Sequence, residues 1–448
     1  MRICYLADGR YIHSHRWLRY FSNRGHKTFL LSFAPLTPSD IDAIEKAGGK
    51  YLGELTPFYL KRFWRTAAQI SRLRRLLREE KIDVLHSHFV GVNAWYGALS
   101  RFHPAVITVM GGDILGADWQ PGPDIRERWL TPYALRNADL ITCWSNNLIN
   151  IVQRFSGPDV PIAVVHGGID LERFSFNGSR PQYLLERLDL PSNARVILSP
   201  RLMRPLYNLD KIASAAAAVC TAVPEAYFVF AVLPVSTDED YRVKVQEVFS
   251  QGAARDRVRF VGPISHDEMP DYYRLADVTI SIPSSDGTPM SVLESMACGT
   301  PVIVSRIPNY DTHYIEDQKT VLMVDQTDPD AVATALIRLL RDPALAQRIA
   351  AEAKQRVIAS ASYESQMAKM NELYEKVSRK GAKLKPHLHT IASSCYYLGR
   401  KHNHDFVAGR VGFPAASKSN LQVARRSSHR GARSGWRRKT FVHQSQTP

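Results

Sequence analysis

The sequence predicts an α/β protein of two Rossmann-like domains facing a central cleft, and three observations carry that reading. Short continuous apolar runs alternate with amphipathic stretches, the pattern of βαβ units around a parallel sheet. The alternation comes as two similar series, joined by a polar segment at 177–193 that contains Gly178 and Pro181. Beyond Lys380 the periodicity is lost, and Ser, Arg, His and Gly dominate.

In the first series the predicted strands are Arg2–Leu6, Thr28–Phe33, Val84–His88, Ala105–Val109, Leu140–Cys143 and Ile162–Val165. Each is short and apolar throughout, as expected for strands buried on both faces. Helical patterns lie between them, such as Arg16–Arg24, which Gly25 closes as a C-terminal cap. The second series predicts strands at Val196–Ser199, Tyr227–Val232, Val258–Val261, Val278–Pro283, Pro301–Ser305 and Val321–Val324. Its helices are predicted at Asp210–Ala222, Asp240–Gln251, Asp267–Ala276, Ser291–Ala297 and Asp330–Leu340, with Leu345–Ile358 and Tyr363–Val377 after them. The domain plan is therefore 1–176, a linker 177–194, a second domain 195–360, a closing helix 361–378 and a basic, disordered tail 379–448. Ligands of such sheets bind outside the carboxyl ends of the strands, which places the site in the cleft.

Composition bounds the function classes. Of 448 residues, 45% are hydrophobic and 23% charged, which is ordinary for a globular protein. The five cysteines form no CxxC pair, so they read as reduced thiols rather than a disulfide framework or zinc site. No apolar run approaches the ~20 residues of a membrane span, and the short apolar N-terminus reads as a strand rather than a signal peptide. The expectation is a cytoplasmic protein. The net charge is +15, but 379–448 holds 15 basic residues against the single acid Asp405, leaving the body near neutral. Charge therefore gives the body no nucleic-acid role.

The informative block runs from strand Val278–Pro283 through Ser284–Met290 into helix Ser291–Ala297. A turn of small residues at a strand's carboxyl end leaves backbone N–H groups free. The following helix adds its positive N-terminus, so a phosphate or sugar hydroxyl is held without a charged side chain. Asp286 and Glu294, eight residues apart, both face one cleft in such a segment. Paired carboxylates grip vicinal sugar or ribose hydroxyls. An Asx turn and a surface helix acid are the structural alternatives.

The segment Asp286-Gly-Thr-Pro-Met-Ser-Val-Leu-Glu294-Ser-Met-Ala-Cys-Gly-Thr-Pro-Val resembles the donor-binding signature of glycosyltransferase family 4, retaining enzymes of GT-B fold. Asp286 replaces the family's usual Glu. The resemblance implies that Glu294 holds the ribose hydroxyls and Asp286 the transferred sugar. It implies that the stretch Gly287, Thr288, Pro289, Met290, Ser291 and Val292 lies against the sugar and diphosphate. Val165-His-Gly-Gly-Ile-Asp170-Leu-Glu-Arg-Phe174 resembles the end of the family's first domain, with His166 in place of Asn. Ser199-Pro-Arg201-Leu resembles the start of the second, where an Arg and a Lys five positions on bind the diphosphate. Arg201 matches; Leu206 stands at the Lys position, with Arg204 as its substitute. Asp83-Val-Leu-His-Ser-His88 matches a first-domain motif, and Arg259-Phe-Val-Gly262 the turn beside the nucleotide base. In Thr108-Val-Met110-Gly-Gly-Asp113, Met110 stands where the family has an active-site His. Met neither donates to a hydroxyl nor accepts a proton at neutral pH. The resemblance covers residues 1–378. It implies a nucleoside diphosphate sugar as co-substrate with no further cofactor, and a glycan or lipid-linked acceptor. Arg201, Asp286, His88 and Asp113 are the implied catalytic residues. An epimerase of the same fold and a sugar-nucleotide-binding scaffold are the rival readings.

Four further features complete the reading. His86 and His88 project to one face of their strand and have no third metal ligand in sight. Gly9 and His13 sit on the first strand-to-helix loop, facing the cleft as phosphate or acceptor neighbours, with an exposed loop His as the equal alternative. Asp238-Glu-Asp240 mimics an Asp-x-Asp metal motif but precedes a helix, where acids are favoured anyway. Within 58–81, apolar residues at helical spacing cover the sheet, while Arg and Lys make an outer face suited to peripheral contact with an anionic membrane, to which the basic tail 379–448 adds, or else binds anionic polymers nonspecifically.

Overall fold

The computed structural model describes residues 1–56, 63–115, 125–175, 180–231, 238–250, 252–262, 264–379, 381 and 383–384. The predicted tail beyond 384, and residues 58–62 of the basic stretch, lie outside the described residues. Residues Met1–His387 form one compact unit.

Its first domain contains β1 (Arg2–Leu6), β2 (Lys27–Ser32), β3 (Gly49–Glu54), β4 (Val84–His88), β5 (Phe102–His103), β6 (Ala105–Val109), β7 (Leu140–Cys143) and β8 (Ile162–Val164). Seven of these make a parallel sheet in the order β3-β2-β1-β4-β6-β7-β8. The second domain contains β9 (Arg195–Ser199), β10 (Ala226–Ala231), β11 (Val258–Val261), β12 (Val278–Ser281), β13 (Val302–Ser305) and β14 (Leu322–Val324). They form a parallel sheet in the order β11-β10-β9-β12-β13-β14. In both sheets the strand order reverses beside the first strand, so the crevices open above β1/β4 and β9/β12.

Alternation along each strand divides the core. Cys4, Leu6, Leu85 and Ile107 face helices Phe63–Glu79 and Val92–Ser100, whereas Ile3, Tyr5, Val84 and Val106 face helix Ile12–Asn23. On helix Phe63–Glu79, Leu73 and Leu77 are buried while Trp64, Arg65, Arg75 and Arg78 are exposed, so the helix covers the sheet with a basic outer face. The β3 strand has no counterpart in the sequence reading, because Gly-Lys-Tyr-Leu-Gly-Glu is an edge strand with little apolar run. The segment taken as linker also departs from expectation. It holds helix Gln182–Arg187, and Leu184, Leu185, Leu188 and Leu190 are buried in the second domain's core.

After the second domain, helix Tyr363–Ser378 buries Met367, Met370, Tyr374 and Val377 in the first domain. Its Tyr374 hydroxyl bonds His86 Nδ1, and His86 Nε2 lies 2.6 Å from Thr108 Oγ1, itself 2.6 Å from Thr142 Oγ1. This chain of buried polar groups supplies partners that apolar packing would not. The two passages between domains run side by side. The Ile169 amide donates to Ala361 O at 2.7 Å, and the Tyr363 amide to Ile169 O at 2.8 Å. Gly168 stands in this seam at φ +71°, and a Cβ there would lie 2.6 Å from Tyr363 Cα.

Gly168→Ala is therefore expected to cost roughly 2–4 kcal/mol in urea unfolding, from backbone strain plus the clash. Gly25→Ala, at φ +80° with nothing within 4 Å, supplies the comparison and should cost about 1 kcal/mol. Equal losses would remove the close-crossing explanation.

Candidate active site

The second-domain half is built at the ends of β9 and β12. Arg201 follows β9, and Ser284–Pro289 joins β12 to helix Met290–Ala297. Arg201 Nη2 donates to Asp286 Oδ2 at 2.7 Å and Nη1 to Ser291 Oγ at 3.1 Å, while its guanidinium lies over Tyr207 at 4.2 Å. Asp286 Oδ1 also accepts from the Gly287 amide at 2.8 Å. The loop is tied from below: Asn208 Nδ2 donates to Ile282 O, and the Ser284 amide to Leu206 O, both at 2.8 Å. Thr288 is buried, and its Oγ1 has no hydrogen-bond partner among the described residues. First-turn helix amides have no intrahelical acceptor, so this corner presents N–H groups, a cation and an unused hydroxyl together.

Glu294 lies one turn into the helix. Its Oε2 accepts from Tyr273 OH at 3.1 Å, and its Oε1 lies 3.7 Å from His266 Nε2. Arg173 Nη1 reaches His266 Nδ1 at 2.8 Å.

The first domain supplies the opposite wall. Asp113 accepts from the amides of Val90 at 2.8 Å, Met110 at 3.1 Å and Gly111 at 2.8 Å, fixing the β4 and β6 loops to each other. Gly111 faces Gly287: a Cβ on Gly111 would sit 3.9 Å from the Gly287 backbone. Beside them Ser285 Oγ donates to Leu115 O at 2.9 Å, and Asn146 N to Asp311 Oδ2 at 3.1 Å, across the cleft. Tyr11, half exposed, and Phe89 form a ring pair with centroids 6.2 Å apart at the ends of β1 and β4. Phe89 holds φ +68°, a left-handed conformation rare for a bulky residue and typical of functional corners.

With that geometry in place, comparisons identify the family. The model "Glycosyltransferase Family 4" matches residues 10–173, and "Glycosyl transferases group 1" matches 184–356. The chain is a glycosyltransferase family 4-like protein. Among curated relatives, D-inositol 3-phosphate glycosyltransferase of Salinispora tropica is 27% identical over 58% of this chain and 57% of its own length. The Salinispora arenicola enzyme of that name is 27% identical over 61% and 64%. The chain thus spans roughly three fifths of the length of these relatives. The fold is that of Anabaena HepE in complex with UDP-glucose, with TM-score 0.70, 16% identity and coverage of 84% and 100%. Sucrose-phosphate synthase from Thermosynechococcus elongatus gives 0.68, 18%, 85% and 100%. Both structures share the two-domain GT-B architecture, which fixes the fold of this family 4-like chain.

His88 is buried, its ring packed 4.8 Å from Trp17 and 5.3 Å from Tyr5, and burial pushes its pKa down to about 3. Its Nε2 has no hydrogen-bond partner among the described residues. Asp113 serves the loops through three backbone bonds. Gly9 is buried, and a Cβ there would meet Leu36 Cδ1 at 2.7 Å and Ile44 Cδ1 at 2.9 Å, so close packing explains it. Arg204 is exposed at the start of the turn Pro205–Tyr207, and Gly262 is exposed after edge strand β11. His13 packs edge-on against Trp144 at 5.0 Å, and burial with Arg16 nearby lowers its pKa to about 3. Asp238 caps its helix, accepting from the Tyr241 amide at 3.1 Å, and no metal-holding cluster occurs among the described residues. Tyr207, Tyr273, His266 and Arg173 were not singled out from the sequence, because nothing in their local spacing marks them as cleft residues.

Burial pushes the Asp113 carboxyl up to about 6, against the lowering effect of its amide donors. A folded-state value above the ordinary 3.8 means that the folded protein binds more protons, so stability falls as pH rises from about 4 to 6. Urea titrations across that window should show a shallower decline for Asp113→Asn than for the wild type. Parallel profiles would contradict the assignment.

Proposed function

We propose that the protein moves a sugar from a nucleoside diphosphate sugar to a glycan or lipid-linked acceptor, with retention of anomeric configuration. The observation that carries this reading is the Arg201–Asp286–Ser291 corner at the β9/β12 crevice, with Glu294 one turn deeper. Arg201 and the helix amides stabilise the charge that develops on the departing diphosphate. Asp286 orients the sugar, and Glu294 holds the ribose. The leaving diphosphate takes the acceptor's proton on the same face, so the site works without His at Met110 and without an enzymic base; what the protein supplies is position. HepE, caught with UDP-glucose, supports a uridine sugar as donor.

On the acceptor side, the Tyr11–Phe89 platform suits the apolar C–H face of a sugar ring. Arg10, on the same loop, is already engaged by Asp8 at 2.7 Å. No helix among the described residues is long and apolar enough to cross a membrane. The exposed Trp64, Arg65, Arg75 and Arg78 instead support a peripheral setting at an anionic surface.

A thermal-shift screen against sugar nucleotides should identify a donor that raises the melting point. With that donor, Arg201→Ala is expected to lower kcat by about 100-fold, and Glu294→Ala to weaken donor binding by about tenfold. Wild-type behaviour in both variants would sink the site assignment. Tyr11→Ala should raise the acceptor KM several-fold while leaving donor hydrolysis unchanged; an effect on hydrolysis alone would move Tyr11 to the donor side.

A further inference from the structure

Glu294 is the one donor-site acid whose surroundings come from three separate parts of the chain. Tyr273, on helix Met269–Leu275, takes Oε2 at 3.1 Å. His266, in the loop after β11, points Nε2 at Oε1 from 3.7 Å. Arg173, in the segment that leaves the interdomain seam at Ile169, bonds His266 Nδ1 at 2.8 Å. A neutral imidazole has one donor and one acceptor nitrogen, and a guanidinium only donates. Nδ1 is therefore the acceptor, and the hydrogen sits on Nε2, turned toward Glu294.

Both supporting residues are themselves held. Arg173 is anchored through its carbonyl, which accepts from Arg274 Nη2 at 3.0 Å, and through its side chain, which pairs with Asp267 at 2.5 Å. The His266 ring packs edge-on against Phe174 at 5.3 Å. The distances then separate two jobs. Tyr273 fills one carboxylate oxygen with a hydrogen bond. At 3.7 Å, His266 is too far for one, so it orients the other oxygen electrostatically and leaves its lone pairs open to a hydroxyl. Such a carboxylate is set for one incoming donor on a known side.

We infer that Arg173 and His266 are positioning residues for ribose recognition. Arg173 fixes the ring nitrogen of His266 that faces Glu294, and His266 turns Glu294 Oε1 toward the ribose hydroxyls of the donor. This rests on the sugar-nucleotide reading above and adds a consequence to it. The grip on ribose depends on a residue that belongs to the passage between domains, so the geometry of that passage bears on donor selection.

Isothermal titration of the full chain with UDP, GDP and ADP, each beside its 2′-deoxy analogue, separates the two claims. The wild type should prefer the ribonucleotide of its best ligand by about tenfold or more, because a carboxylate built to accept a hydroxyl is left unpaired by the deoxy form. His266→Ala and Arg173→Ala should bring that ratio toward one while changing affinity for the deoxy form less than about twofold. His266→Gln, which keeps an N–H at similar reach, should recover part of the ratio, and Arg173→Lys less, since a lysine lacks the planar fork. Melting points near that of the wild type would separate positioning from a fold defect. Ratios unchanged in well-folded variants of both residues overturn the inference. Absence of nucleotide binding by the wild type would instead overturn the reading beneath it.

Discussion

The reciprocal hydrogen bonds between Ile169 and the chain at Ala361–Tyr363 are the constraint on which the cleft depends. They bring the outgoing and returning passages between domains into one narrow seam, closed by Gly168, where no side chain fits. From the outgoing passage the chain carries Arg173 to the donor domain. From the returning one, helix Tyr363–Ser378 carries Tyr374 to His86. The seam is thus joined to both halves of the site, and Arg16 braces it by donating to Gly168 O at 2.9 Å beneath the Tyr363 ring.

Most of the fold was legible because buried parallel strands are short apolar runs, and five of them, β1, β4, β6, β7 and β11, have the bounds that the pattern gives. The exceptions have a common cause. β3 is an edge strand with a polar sequence, and helix Gln182–Arg187 hides Leu184 and Leu185 among charged and polar neighbours. Apolar periodicity cannot flag an element whose partner face is small. The corner around Arg201 is readable for a different reason: Arg201 lies on the loop after β9, Asp286 on the loop after β12, and Ser291 and Glu294 on the helix that follows, and the sheet order makes them adjacent. Side chains such as Tyr273 and His266 come from helices and loops whose packing is decided in three dimensions.

Two first-domain residues of the matched motifs are tied closely into the fold. His88 occupies the expected strand position, yet alternation turns it inward against Trp17 and Tyr5. Asp113 keeps its place and uses its carboxylate on backbone amides, holding the β4 and β6 loops to each other. The Arg201–Asp286 corner lies on the second domain, while residues 1–176 contribute Gly111, the Tyr11–Phe89 pair, Asn146 and Arg173.

Leu206 shows what this division leaves open. Its carbonyl, not its side chain, receives the Ser284 amide and steadies the donor loop, and the side chain itself is exposed. The position is therefore decoupled: the backbone performs the structural task whatever residue stands there. A sequence lineage can gain or lose a cation at this point without rebuilding the loop, and so can an experimenter who wishes to tune the cleft's hold on polyanions.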